Sequence, residues 1–157
     1  MRRGALEAGG TKMVCAVGDE RGNLFERASF PTLTPEETMP GLIDYFRGKG
    51  IEALGIGSFG PLSLDPNAPD YGAITTTPKL AWRDYPLRRA FAEALGVPVG
   101  IDTDVNAAAL GEAVYGAGQG LDSLVYYTIG TGVGGGALLY GKLLHCLWHP
   151  VMGHILL

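Results

Sequence analysis

The apolar positions of this chain fall into short runs divided by glycine, proline and polar turns, and the period of the runs changes along the sequence. Residues 5–6 and 12–18 predict two short strands joined by Glu7-Ala8-Gly9-Gly10-Thr11, and residues 23–30 predict a third after the Glu20-Arg21-Gly22 turn. Together they form an antiparallel meander. Pro35-Glu36-Glu37-Thr38 opens a helix that runs to about Arg47, with Leu42, Ile43 and Phe46 on its apolar face. Residues 51–57 are a short apolar strand, residues 87–95 a helix closed by Gly96, and residues 97–101 another short strand. An alanine-rich helix covers 107–118 with Asp104 at its start, residues 124–129 are a β-branched and aromatic buried strand, and 137–144 is a further apolar strand. The order places helices between strands, so the class is α/β.

Two segments do not fit a period. Residues 63–82 hold Pro66, Pro69, Gly72 and Pro78 with the run Thr75-Thr76-Thr77, and they read as a long surface excursion. A loop of that length is usually functional or disordered, and hydroxyls beside Lys79 and Trp82 favour a polar ligand. Trp82 is equally suited to plug the core beneath it. The second segment is 126–136, Tyr-Tyr-Thr-Ile-Gly-Thr-Gly-Val-Gly-Gly-Gly, whose second half has too many glycines for core. Such a run after a strand points successive N–H groups into one concavity and can hold phosphate oxygens, or it is a tight hairpin whose glycines allow close packing. Both roles stand open.

Composition narrows the partners. In 157 residues, 46% are hydrophobic and 18% charged, enough for one folded domain with a real core. The net charge of -4 offers no basic footprint, so nucleic acid and membrane surface are set aside in favour of small molecules. The two cysteines, Cys15 and Cys146, make no disulfide framework, and no apolar run resembles a signal peptide or a bilayer span; a cytoplasmic protein is expected.

Several residue groups carry candidate chemistry. Glu7 followed by Gly9, Gly10, Thr11 and Lys12 brings a carboxylate, bare backbone, a hydroxyl and an ammonium to one hairpin tip, a set that suits Mg²⁺ and phosphate; a plain hairpin with a solvated lysine is the alternative. Ser58-Phe59-Gly60-Pro61 is a turn where backbone can approach a ligand. Asp104, at a helix start, is either a cap or first-turn residue stabilised by the helix dipole by roughly 0.3 to 1 kcal/mol, or a general base at the carboxyl end of a sheet strand, where ligands bind. His145, Cys146, His149 and His154 cluster near the end without the spacing of a complete zinc motif.

In order and spacing these motifs resemble the N-terminal half of a ROK family sugar kinase of the bacterial fructokinase-like branch. The motifs are Glu7 to Lys12, Phe59-Gly60-Pro61, Thr77-Pro78-Lys79 with Trp82, Thr103-Asp104-Val105-Asn106, Gly130 to Gly136, and His149-Pro150 through Gly153-His154. The resemblance covers the whole chain. It implies the ribonuclease H-like lobe of the actin and hexokinase superfamily over residues 1–120, and the start of a second lobe over 121–157. It further implies Asp104 as the base toward a sugar hydroxyl, and Glu7, Gly9, Gly10, Thr11, Lys12, Gly130, Thr131 and Gly132 around the phosphates and magnesium of ATP. Gly60, Pro61, Lys79, Thr103, Asn106 and His154 would line the hexose pocket, with fructose the expected sugar.

Three departures qualify that picture. Val151 stands where the family carries a glutamate, Cys146 replaces a glycine, and the sequence stops at Leu157, before the family's cysteine-rich zinc segment and most of the second lobe. The expected result is an impaired kinase, completed by a separate C-terminal half or held as a homodimer. The competing expectation is a non-catalytic sugar-binding or assembly module; a repressor is disfavoured because no helix-turn-helix precedes the first strand. His154 would be one zinc ligand of a set lying beyond the last residue. Metal analysis of the purified chain is therefore expected to find no stoichiometric zinc, and zinc held by Cys146, His149 and His154 would contradict this.

Overall fold

The strand at the centre of the first sheet is longer than its apolar signal. In the computed structural model, which describes residues 1–129 and 133–145, β1 (Arg2–Ala8) starts at the two arginines and runs through Glu7. It is paired on both sides, antiparallel to β2 (Lys12–Asp19) and parallel to β4 (Ala53–Ser58). Two full hydrogen-bonded ladders outweigh the poor strand preference of Arg3, Gly4 and Glu7, which is why only residues 5–6 stand out by sequence. With β3 (Leu24–Pro31) antiparallel to β2, and β5 (Val99–Thr103) outside β4, the sheet order is β3-β2-β1-β4-β5. The expected meander is present, and the sheet is mixed.

The chain divides into two compact units, Met1–Asp102 and Thr103–Leu157. In the first, register sets the core. Leu6 pairs with Cys15 and Ile56, and Ala8 with Met13, so one face of the sheet presents these buried side chains together. Met39, Leu42 and Phe46 of α1 (Pro35–Phe46) and Leu87 and Phe91 of α2 (Leu87–Leu95) close over that face. Each such side chain contributes about 1.5 to 3 kcal/mol when fully buried. Gly4 is required on this face: a Cβ there would lie 2.9 Å from Ile51 Cδ1 and 3.2 Å from Phe46 Cε1, so the missing side chain lets Phe46 settle on the strand. α1 begins where the sequence places it, with Glu37 Oε2 reaching back to accept from the Thr34 N–H at 3.3 Å and from its hydroxyl at 2.9 Å. α2 ends at Gly96, which takes the left-handed conformation at φ 66°.

The stretch 63–82 is a surface excursion only in part: residues 65–67 and 69–70 are exposed, whereas residues 72–74, 77 and 82 are buried. Ile74 bridges both Leu62 and Tyr85, and Ile74, Thr77 and Trp82 are almost wholly buried. A 3-10 turn over Leu80–Trp82 drives Trp82 into the core, where it meets Phe59 and Tyr85 edge to face and donates from Nε1 to the Leu33 carbonyl at 2.6 Å. Trp82 is the core plug. Single bridges and aromatic contacts hold the segment without a repeating pattern, so no period announces it.

The second unit is built on α3 (Asp104–Tyr115) and an antiparallel sheet ordered β6-β7-β8: β6 (Leu124–Ile129), β7 (Val133–Leu139) and β8 (Lys142–Leu143). Three expectations change here. α3 stops at Tyr115 instead of 118, because Gly116 leaves the helix and the Glu112 carboxylate accepts from the Ala117 N–H at 2.8 Å. The strand expected over 137–144 is broken by Tyr140 and Gly141, both at positive φ (49° and 74°), the requirement of a two-residue hairpin turn that matches strand twist. β6 is not a buried strand: α3 packs on one face of this sheet, and Val125, Tyr127 and Ile129 on the other are exposed, Ile129 by 82%. Among the described residues no helix is long and apolar enough to cross a membrane.

Cys15 lies wholly buried on the core face of β2, and burial pushes its thiol from 9.0 up to about 12. In a Cys146→Ser chain, native protein is expected to resist a chromogenic disulfide reagent that labels the denatured chain at once; fast native labelling would show that the core around β2 opens. Because the folded-state value is raised, the unfolded chain loses its proton first as pH climbs past 9.0. Stability from this group is intact below that point and falls toward pH 12.

Candidate functional site

The first unit places a tight turn at the carboxyl end of β1. Gly9 donates its N–H to the Lys12 carbonyl at 3.1 Å, and a Cβ on Gly9 would lie 2.6 Å from that oxygen, so only glycine closes the turn this way. Thr32, just past β3, clamps it: its hydroxyl donates to the Gly9 carbonyl at 2.7 Å and its N–H to the Thr11 carbonyl at 3.0 Å. Thr32 is a contributor that sequence reading missed, visible only as a hydroxyl following Pro31 where the meander ends. Gly10, Thr11 and Lys12 are exposed at the tip.

Glu7 is not in the turn. It belongs to β1, paired with Val14, because the ladder with β2 continues to Ala8 and Met13 and leaves only three residues for the connection. Alternation still puts Glu7 and Lys12 on the same face as diagonal neighbours. Among the described residues the ion pairs are Met1–Glu20, Arg47–Asp44, Lys49–Glu26 and Arg89–Glu93, and neither Glu7 nor Lys12 takes part. No group of three metal-ligating side chains gathers among the described residues. Glu7 offers one carboxylate here, and Mg²⁺ commonly keeps its waters and takes few protein ligands.

The turn at Gly60 and Pro61 emerges from β4 beside the end of β1: Phe59 donates to the Ala8 carbonyl at 2.8 Å, and Pro61 O accepts from the Thr75 N–H at 2.8 Å and from its hydroxyl at 3.1 Å. The Gly60–Pro61 bond is cis. Lys79 belongs to this neighbourhood as well, its Cε 3.4 Å from where a Cβ on Gly10 would stand.

The second unit holds Asp104 as the first residue of α3. Thr103 is the cap, its Oγ1 accepting from the Asn106 N–H at 3.1 Å, and Asp104 Oδ1 accepts from the Val105 N–H at 2.9 Å. Thr103 and Asn106 are buried, and Asn106 Nδ2 donates to the Leu144 carbonyl at 3.4 Å. Asp104 remains half-buried. Gly130, Thr131 and Gly132, together with Cys146, His149, Val151 and His154, lie outside the described residues. Gly134, Gly135 and Gly136 do not form a loop: they lie in β7, opposite Thr128, Tyr127 and Tyr126, and are partly to fully covered. Their bareness lets α3 approach. A Cβ on Gly136 would run into the Val105 carbonyl, and one on Gly134 would come within 3.0 Å of Val105 Cγ1. Glycine there is core, contrary to the expectation that so many glycines exclude it.

A family model for the ROK family matches residues 3–157. The chain belongs to the ROK family. Its relatives include a candidate fructokinase of Bacillus subtilis (strain 168), 53% identical over 152 residues that make up 97% of this chain and 51% of that protein. A fructokinase of Pediococcus pentosaceus is 45% identical over 99% of this chain and 54% of its own length. In structure, the ROK family glucokinase from Streptomyces griseus, solved with glucose and AMPPNP, matches with a TM-score of 0.81 at 33% identity, over 99% of this chain and 50% of that one. The fold is thus that of the ROK sugar kinases, the actin and hexokinase type. This ROK chain spans about half the length of the curated relatives it matches.

In this ROK chain the contact between β7 and α3 fixes the start of the helix that carries Asp104. Gly136→Ala is expected to destabilise the protein by about 1 to 3 kcal/mol through overpacking, read by denaturant unfolding, while Gly55→Ala, where a Cβ meets nothing within 4 Å, is expected to cost little. Equal stability of the two variants would show that the helix does not depend on this contact.

Proposed function

We propose that this chain supplies the phosphate-gripping and proton-accepting parts of an ATP-dependent hexose kinase, with fructose the preferred sugar. The observation that carries this is the family match over residues 3–157 joined to Asp104 at the capped start of α3. The fructokinase names of the nearer relatives support the choice of sugar, and the AMPPNP and glucose of the Streptomyces griseus structure support the pairing of nucleotide with hexose.

Asp104 takes the proton of a sugar hydroxyl as that oxygen attacks the γ-phosphorus; the bond from phosphorus to the β–γ bridging oxygen breaks, and ADP leaves with the electron pair. Thr103 holds the aspartate at the helix start. Gly9 closes the turn from which Gly10, Thr11 and Lys12, with Gly130, Thr131 and Gly132, bind phosphate oxygens through backbone N–H groups and the lysine ammonium. Glu7 faces the same side as Lys12 and would help to place Mg²⁺, which neutralises the phosphate charge when bound. Gly60, Pro61, Asn106 and His154 belong to the hexose pocket, and His154 would take zinc only in company with ligands not in this sequence. Residues 1–120 serve as the first lobe and 121–157 begin the second, which a C-terminal half completes in a cytoplasmic enzyme.

The test is an ADP-release assay with fructose and MgATP, on this chain alone and on a chimera joining it to the C-terminal half of the Bacillus subtilis relative. The chain alone is expected to show no useful turnover and the chimera to be active, more so with Val151→Glu. Asp104→Asn should lower chimera turnover by roughly 10²- to 10⁴-fold. An Asp104→Asn chimera as fast as its parent would remove the aspartate from the chemistry, and brisk turnover by the chain alone would remove the need for a second half.

A further inference from the structure

Lys79 is tied to the β1–β2 turn and not only to the loop that carries it. Its Cε lies 3.4 Å from the position a Cβ on Gly10 would take, so the ammonium one bond further stands near the turn. The backbone around Lys79 is fixed at both ends. Its N–H donates to Thr77 Oγ1 at 3.3 Å, with Thr77 almost wholly buried, and its carbonyl accepts from the Trp82 N–H at 2.8 Å. Trp82 is in turn anchored through Nε1 to the Leu33 carbonyl. The main chain from which the lysine stem springs is therefore held in place.

The charge around this turn is unbalanced. Lys12 and Lys79 flank Gly9 and Gly10, and neither enters an ion pair among the described residues. Two ammonium groups against the single Glu7 carboxylate, beside the exposed Gly10 and Thr11 backbone, leave a local excess of positive charge that an anion would relieve.

We propose that Lys79 is a second phosphate-binding cation, acting with Lys12 and the Gly10–Thr11 backbone on the phosphate chain of the nucleotide, and not a sugar ligand. This assignment rests on the kinase reading above and names the part of the substrate that Lys79 touches. An ammonium reaching in from the 77–82 segment grips a phosphate oxygen, and a flexible point charge suits a phosphate chain whose oxygens move as the terminal phosphoryl departs.

Titration of the ¹⁵N-labelled 157-residue chain with inorganic tripolyphosphate, followed by amide shifts, tests it. The wild-type chain is expected to show shifts at Gly9, Gly10, Thr11 and Lys12. Lys79→Gln should weaken tripolyphosphate binding about tenfold, the worth of one charge-assisted contact, and Lys79→Arg should restore most of it. Lys142→Gln, on β8, serves as the charge control and should change little. Among the described residues the half-buried Lys79 side chain makes no ion pair or hydrogen bond, and the unshifted amides of the core report that each variant is folded. Unchanged binding in Lys79→Gln alongside loss in Lys12→Gln would overturn the role of Lys79 and leave the kinase reading intact. Loss of fructose-induced shifts with unchanged tripolyphosphate binding would return Lys79 to the sugar. A wild-type chain that tripolyphosphate does not shift at Gly9 to Lys12 would overturn both.

Discussion

The first unit depends on the two-sided pairing of β1. Antiparallel to β2 and parallel to β4, that one strand satisfies its backbone groups in both directions and delivers two chain reversals to the same end of the sheet. The Gly9–Thr11 turn leaves from its carboxyl end, and the Gly60–Pro61 turn leaves from the carboxyl end of its parallel neighbour. Polar chemistry gathers there because parallel strands end together, with their connections free to carry glycine, hydroxyl and charge. Below the turns, Leu6, Ala8, Met13, Cys15 and Ile56 form a rigid floor, so the polar groups rest on packed core and not on loop.

The second unit solves a different problem with the same residue. A helix laid on a sheet normally stands about a side chain away from it, but β7 offers Gly134 and Gly136 and lets Val105 come down onto the strand. Close contact fixes the helix start, and the hydroxyl cap from Thr103 fixes its first turn. Asp104 is therefore held by backbone geometry on either side of it, which is the kind of support the proposed proton acceptor needs.

How much of this could be read from the sequence varies with the type of signal. α1, α2 and β6 were legible within a residue or so because caps, Gly96 and β-branched runs are local features. The extent of β1 was not, since Arg2, Arg3 and Glu7 become strand only through their neighbours. Trp82 was legible as a possible core plug, whereas the burial of Ile74 and Thr77 was hidden for a related reason: they sit in core through scattered contacts that no period encodes. The glycines of 134–136 looked like loop because bare backbone in a strand is informative only when the helix above it is known. Of the site, the Gly9–Lys12 turn and Asp104 at a helix start were visible as motifs, whereas the Thr32 clamp and the contact of Lys79 with Gly10 are long-range facts.

The separations of these contacts along the chain set an order of assembly. Thr32 reaches Gly9 across 23 residues within a meander of consecutive hairpins, while Trp82 reaches the Leu33 carbonyl across 49. Loop closure favours the shorter reach, so the glycine turn and its clamp can be complete while the 77–82 segment is still unattached. Nascent chain leaving a ribosome would thus present the turn before the segment that carries Lys79, whose main chain is tied to the docked indole of Trp82.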